Sequence, residues 1–262
     1  PNNRMFEEFL RFVDKIAPTW FVFENVYGLT KFKNGEENIQ NHIENRFRDI
    51  GYTVKSKILY ASDFGVPQRR NRLFIVGNRN GIDFEFPKEF DYSVSVDEAI
   101  SDLPVLGNGE IQMKGEYTVP FEQASPYAQL MRKKSKAPTQ NIVSRNKDYV
   151  VERYKYIGQG ENWSSIPDRL MENYADKKRC HSGIYKRLIG GKPSVVISNY
   201  RKSMLIHPHQ DRGLSVREAA RLQSFPDHFI FEGPVSYVQQ QIGNAVPPLL
   251  AKAVMKKILT YK

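Results

Sequence analysis

The order of patterns over residues 5–78 constrains this chain most. MFEEFLRFVDKI (5–16) places Met5, Phe6, Phe9, Leu10, Phe12, Val13 and Ile16 largely on one helical face. Pro18 closes that helix, because a proline disfavours helical backbone in the residue before it. WFVFENV (20–26) is an almost unbroken apolar run, the pattern of a strand buried on both faces. A second helix is predicted from Asn38 to Ile50, with Gly51 just past its end. TVKSKILY (53–60) and RLFIVGN (72–78) read as two more strands. Helices alternating with buried strands predict an α/β layered sheet over residues 1–86.

From about 87 to 203 the periodicity fades, and prolines, glycines and aromatics are scattered. MRKKSK (131–136), RNK (145–147) and KKR (177–179) are basic clusters, with Tyr149, Tyr154, Tyr156, Trp163, Tyr174 and Tyr185 interleaved among basic residues. Two readings stand open. The stretch is an irregular domain with a small core, or a nucleic-acid face using cations for phosphates and aromatics for bases. Order returns over 204–262. Ser215 and Glu218 form a predicted capping box for a helix over LSVREAARLQSF (214–225). In IGNAVPPLLAKAVMKKIL (242–259) a Gly-Asn turn precedes two prolines and an amphipathic helix, with Lys256 and Lys257 near its C-terminal end.

A single cysteine among 262 residues excludes a disulfide framework and a multi-cysteine zinc site. No apolar run approaches the ~20 residues of a membrane span, and the opening residues do not read as a signal peptide. A cytoplasmic protein without a membrane partner or a metal is therefore expected. Thirty-nine Lys and Arg against 29 Asp and Glu leave a net charge of +10. That balance makes nucleic acid a leading candidate partner.

Two places carry chemistry. Glu24 ends an otherwise apolar strand, and in α/β sheets ligands gather at the carboxyl ends of strands. Beside apolar neighbours its carboxyl should have a raised pKa and could donate a proton. The alternatives are a glutamate exposed at a strand end and one paired to an arginine. In GVPQRRNR (65–72), Gly65 and Pro67 make a turn before three arginines at the start of a strand. Arg70 shares a strand face with Gln68 and with Arg72, and arginine forks suit phosphates or carboxylates.

Here a resemblance becomes plain. FENVYGL resembles the Glu-Asn-Val motif of the DNA cytosine-C5 methyltransferases, and ASDFGVPQRRNRLFIVG resembles the paired motifs that follow it. HPHQDRGLSVREAARLQSFPDHFIF resembles the motif after that family's target-recognition domain, and QQIGNAVPPLLAKAV its final motif. RLIGGKPSVVI (187–197) resembles the tail of the target-recognition domain in bacterial members. The resemblance implies part of a Rossmann-like sheet of an S-adenosylmethionine-dependent methyltransferase, plus a smaller irregular target-recognition domain. The implied organisation is catalytic over 1–86, target-recognition over 87–203 and catalytic again over 204–262.

It also implies a mechanism. A cysteine thiolate attacks C6 of a cytosine flipped from the duplex, and a glutamic acid hydrogen-bonds N3. C5 then takes the methyl of S-adenosylmethionine, a base removes the C5 proton, and the thiolate leaves. By resemblance Glu24 is the N3 partner, Asn25 supports it, and Gln68, Arg70 and Arg72 hold the flipped nucleotide and order the site. Asn244 and Val246 match the motif that helps enclose the cofactor, and Met5 and Phe6 stand where the family has a Leu-Phe pair near the adenine. Gln68, Arg69, Arg132, Lys133 and Arg187 are the candidate DNA contacts.

The departures are equally informative. The family's Pro-Cys nucleophile loop and glycine-rich cofactor loop match nothing in this chain, and both belong upstream of the first helix. Cys180, in KKRCHSG, has no proline before it and reads as a bystander thiol; His181 lacks further ligands at metal spacing, and His207 and His209 fit backbone or phosphate contacts. The expected function is a portion or subunit of a bacterial, nucleoid-associated DNA cytosine-C5 methyltransferase, inactive without an N-terminal partner chain or segment that carries the Pro-Cys loop. The alternatives are a non-catalytic DNA-binding module and a fragment of a tRNA cytosine methyltransferase. Such a portion should expose an apolar sheet edge or face.

Overall fold

The computed structural model of the chain describes residues 4–28, 33–34, 37–172, 182–198, 200–202 and 204–261. Tyr174, the KKR cluster, Cys180 and His181 lie outside the described residues. The chain forms two compact units, one of Pro1–Ala61, Arg70–Glu89 and Lys252–Lys262, the other of Ser62–Arg69 and Phe90–Ala251.

The first unit follows the predicted order: α1 (Arg4–Ile16), β1 (Trp20–Val26), a short hairpin of β2 (Lys33–Asn34) and β3 (Glu37–Asn38), α2 (Ile39–Asp49), β4 (Thr53–Tyr60) and β5 (Asn71–Asn78). Asn38 caps α2 by accepting a bond from the Gln40 backbone, and Gly51 past its end takes a left-handed φ of 88°, which a side chain would strain. The sheet runs β1-β5-β4, with β5 antiparallel to both neighbours; Glu24 stands opposite Phe74 and Val26 opposite Arg72.

Burial corrects one expectation. β1 is an edge strand that buries Phe21 and Phe23 on one face and leaves Trp20, Val22 and Glu24 half-buried. The strand covered on both faces is β5, whose last six residues are all buried, because it alone has a neighbour on either side. Phe21, Phe23, Ile43, Phe47, Leu73 and Ile75 join Leu10 and Val13 of α1 in one core. Each large apolar side chain so buried contributes about 1.5–3 kcal/mol. α1 does not bury its whole predicted face: Met5, Phe12 and Ile16 remain 71%, 53% and 69% exposed. Among the described residues nothing pairs with the outer edge of β1.

The second unit holds α3 (Val96–Ile100), β6 (Ile111–Lys114), α4 (Pro126–Arg132), β7 (Thr139–Ile142), α5 (Asp148–Tyr154), α6 (Val216–Leu222) and α7 (Val235–Asn244); α8 (Pro248–Leu259) starts here, and its residues from Lys252 belong to the first unit. Val96, Leu188, Ile197, Leu205, Leu214, Val216 and Ile242 share one core. Residues 204–251 pack with the middle stretch in this unit. The interleaved tyrosines divide. Tyr154 and Tyr185 are buried in a second core with Ile157 and Ile206, while exposed Tyr149 carries the Arg153 guanidinium 4.9 Å from its ring centroid.

The capping box of α6 forms as predicted, with the Ser215 side chain accepting from the Glu218 backbone and the Glu218 side chain from the Ser215 backbone. The Gly-Asn pair at 243–244 is not a turn but the end of α7. Gly243 is required there by packing, since a Cβ would overlap the carbonyl oxygen of Ser198. Among the described residues no helix is long and apolar enough to cross a membrane.

Candidate active site

In the first unit β1 and β5 bring Glu24 and Arg72 together. Arg72 Nε donates to Glu24 Oε1 at 2.8 Å, with both side chains largely shielded from water. Arg72 also donates from Nη1 to the Asn71 carbonyl at 2.8 Å, which fixes its fork. Burial pushes the Glu24 pKa above the ordinary carboxylate value, and the positive charges of Arg72 and Arg70 only partly offset it. Arg70 is itself buried, and burial together with Arg72 beside it pulls its pKa down to about 10. Of the sequence alternatives the geometry shows the glutamate paired to arginine, and burial raises that carboxyl's pKa. Asn25 accepts at its side-chain oxygen from the Val26 backbone at 2.8 Å, a contact that holds the chain as it leaves β1.

In the second unit Gln68 is fully buried, and its amide is spent internally. Its nitrogen donates to the Leu222 carbonyl and, at 2.5 Å, to Gln223; its oxygen accepts from the Ile197 backbone. Gln223 in turn donates to the carbonyls of Ile242 and Ala245, beside Asn244 and Val246. This relay was not foreseen: Gln68 and Gln223 lie 155 positions apart, and no local pattern joins them. The same holds for the ionic cluster around α6. Arg212 grips Glu218 at 2.9 and 2.6 Å, and Arg221 grips Asp227 at 2.5 and 2.7 Å and reaches Asp102 at 3.0 Å.

Three expected DNA contacts are not exposed side chains. Gln68 has no free polar atom. Arg132 is buried against Asp102 at 3.3 Å. Arg187 donates to the carbonyls of Tyr154, Ile157, His207 and Gln210 and pairs with Asp211 at 2.6 Å. A basic residue beside aromatics looks the same in sequence whether its partners are phosphates or its own backbone. Arg69 and Lys133 are exposed.

The residues expected around a cofactor are not alike. Met5 and Asn244 are exposed and Val246 is half-buried, so their side chains can meet a ligand. Phe6 packs against Phe23 and Phe47 at centroid distances of 6.0 and 5.8 Å, which makes it first a core residue. Among the described residues no group of three or more His, Cys, Asp or Glu could hold a metal. His207 Nδ1 accepts from the His209 backbone, and His209 lies 2.8 Å from Asp97.

Comparison with known proteins gives the family. Residues 1–260 match the model of the C-5 cytosine-specific DNA methylase family. The chain is 35% identical over 261 residues to the type II methyltransferase M1.HphI of Haemophilus parahaemolyticus, covering 99% of this chain and 61% of that protein. It is 34% identical to M.DdeI of Desulfomicrobium norvegicum, covering all of this chain and 68% of that protein. The chain thus spans about three fifths to two thirds of the length of these relatives. The fold is similar to that of a crystal structure described as a prophage-encoded DNA modification methyltransferase of E. coli, with a TM-score of 0.70, 24% identity and coverage of 98% of this chain and 74% of that one. The chain belongs to the C-5 cytosine-specific DNA methylase family.

Proposed function

We propose that this chain is a portion or subunit of a DNA cytosine-C5 methyltransferase that modifies a flipped cytosine in a specific duplex site. The observation that carries the reading is the Glu24 carboxyl, held on β1 by Arg72 at 2.8 Å, with burial raising its pKa above the ordinary value. Once protonated, such a carboxyl can donate to a ring nitrogen such as cytosine N3 and stabilise the charge that builds on the ring. Arg72 fixes its direction, and Arg70 adds positive potential beside it. S-adenosylmethionine, when bound, supplies the methyl group; Asn244 and Val246 are the second unit's side chains open to it. The nucleophilic thiolate comes from a partner chain or segment with a Pro-Cys loop. A cytoplasmic, nucleoid-associated role in a restriction-modification pair is the setting, in line with the type II methyltransferases among its relatives.

The test is methyl transfer from radiolabelled S-adenosylmethionine to duplex DNA, with the Pro-Cys region supplied in trans and Glu24→Gln compared with the unaltered chain. Loss of a positioned proton donor lowers rates by about 10²–10⁴, so the variant should lose at least a hundredfold while keeping its circular-dichroism spectrum and duplex affinity. Equal rates in the two proteins would remove Glu24 from the mechanism. Duplex binding without methyl transfer in either protein would favour a DNA-binding module.

A further inference from the structure

The second unit carries a solvent-open cavity of about 1080 Å³ that the catalytic reading does not use. Gln112 and Lys114 of β6, Tyr117 in the following loop, Arg132 at the end of α4 and Lys136 beyond it line it, with Glu116 as the opposing charge. Arg132 is the informative residue. It is only 7% exposed. Its guanidinium lies 3.8 Å from the centroid of the Tyr117 ring, and the Tyr117 hydroxyl is pinned by donating to Asp227 at 2.6 Å. Nη1 donates to the Val119 carbonyl and to Asp102 at 3.2 and 3.3 Å, both long for charge-assisted bonds, and among the described residues Nη2 has no acceptor. Nε is buried with no acceptor. A rigid guanidinium stacked on Tyr117, with Nη2 left to the cavity, suits a phosphate oxygen. Lys114 and Lys136, both exposed, stand at the same cavity and have no ion-pair partner among the described residues.

We propose that this cavity is a phosphate site that takes a backbone phosphate of the bound duplex, with Arg132 as the fixed guanidinium and Lys114 and Lys136 as the mobile cations. The proposal rests on the reading of the chain as a DNA-binding protein. It also gives Arg132, buried beside Asp102 at the cavity wall, a role that fixes the register of the backbone.

Fluorescence anisotropy of the whole chain on a labelled duplex, measured across salt concentration, tests it. The variant is Lys114→Gln with Lys136→Gln; exposed lysines are replaced so that the Arg132–Asp102 pair and the fold are untouched. The control is Lys252→Gln with Lys256→Gln, the same loss of charge elsewhere. Loss of one phosphate contact should lower the magnitude of the log–log salt slope by about 0.9 and weaken binding roughly tenfold at 0.1 M salt. The control should do neither, and inorganic pyrophosphate should compete with the duplex on the unaltered chain and not on the variant. Variant and control curves that coincide overturn the site and leave DNA binding standing. Pyrophosphate binding with an unchanged duplex slope also overturns it, because the cavity then takes free anions alone. An unaltered chain without duplex affinity overturns both the site and the DNA-binding reading beneath it.

Discussion

His207 shows how much a single side chain can report. Burial, only partly offset by Glu218 nearby, lowers its pKa to about 4, so the folded protein keeps it neutral. An unfolded chain protonates the same ring near pH 6.5. Its contribution is therefore complete above pH 6.5 and is lost as pH falls from there toward 4. The loss amounts to about 2 kcal/mol between pH 7.5 and pH 5. Glu218 behaves differently: burial works against it, but Arg212 holds its pKa at about 2, so its own contribution is lost only below the ordinary carboxylate range. Thermal unfolding should show a midpoint several degrees lower at pH 5 than at pH 7.5, and His207→Gln should flatten that difference. An equal pH dependence in the variant would assign it to other groups. Not every residue was equally legible. Glu24 could be picked out because a carboxylate closing an apolar strand is a local anomaly. The burial of Arg187 could not, because its acceptors are carbonyls up to 33 positions away.

Elements were legible where periodicity and end signals agree. α1, α2, α6 and α8 each combine an apolar spacing with a cap, a proline or a closing glycine, and β1, β4 and β5 are bounded by turn residues. α7 was missed although Val235, Val238 and Ile242 have helical spacing, because the Gly-Asn pair at its end is also a turn signal. The glycine is there for contact with the chain at Ser198. Gly243→Ala should therefore destabilise the protein by about 1–3 kcal/mol or more, the range for overpacking a close contact. Urea unfolding measures it. A variant as stable as the parent would mean that the helix and the segment at Ser198 separate at little cost.

At the scale of the whole molecule, the early residues predict a sheet with helices, and the later motifs predict where helices begin. What the sequence could not express is how residues 204–251 choose their partners. Leu205, Leu214, Val216 and Ile242 join Val96 and Leu188 because their surfaces fit in three dimensions, and no spacing encodes that. We propose that this chain holds the proton donor, and not the nucleophile, of a cytosine-C5 methyltransferase. Radiolabelled methyl transfer to mixed-sequence duplex DNA tests it directly, comparing the chain alone with the chain plus a separately supplied Pro-Cys region. Methylated cytosine should appear only when both are present. Methyl transfer by the chain alone would contradict it and direct attention to Cys180.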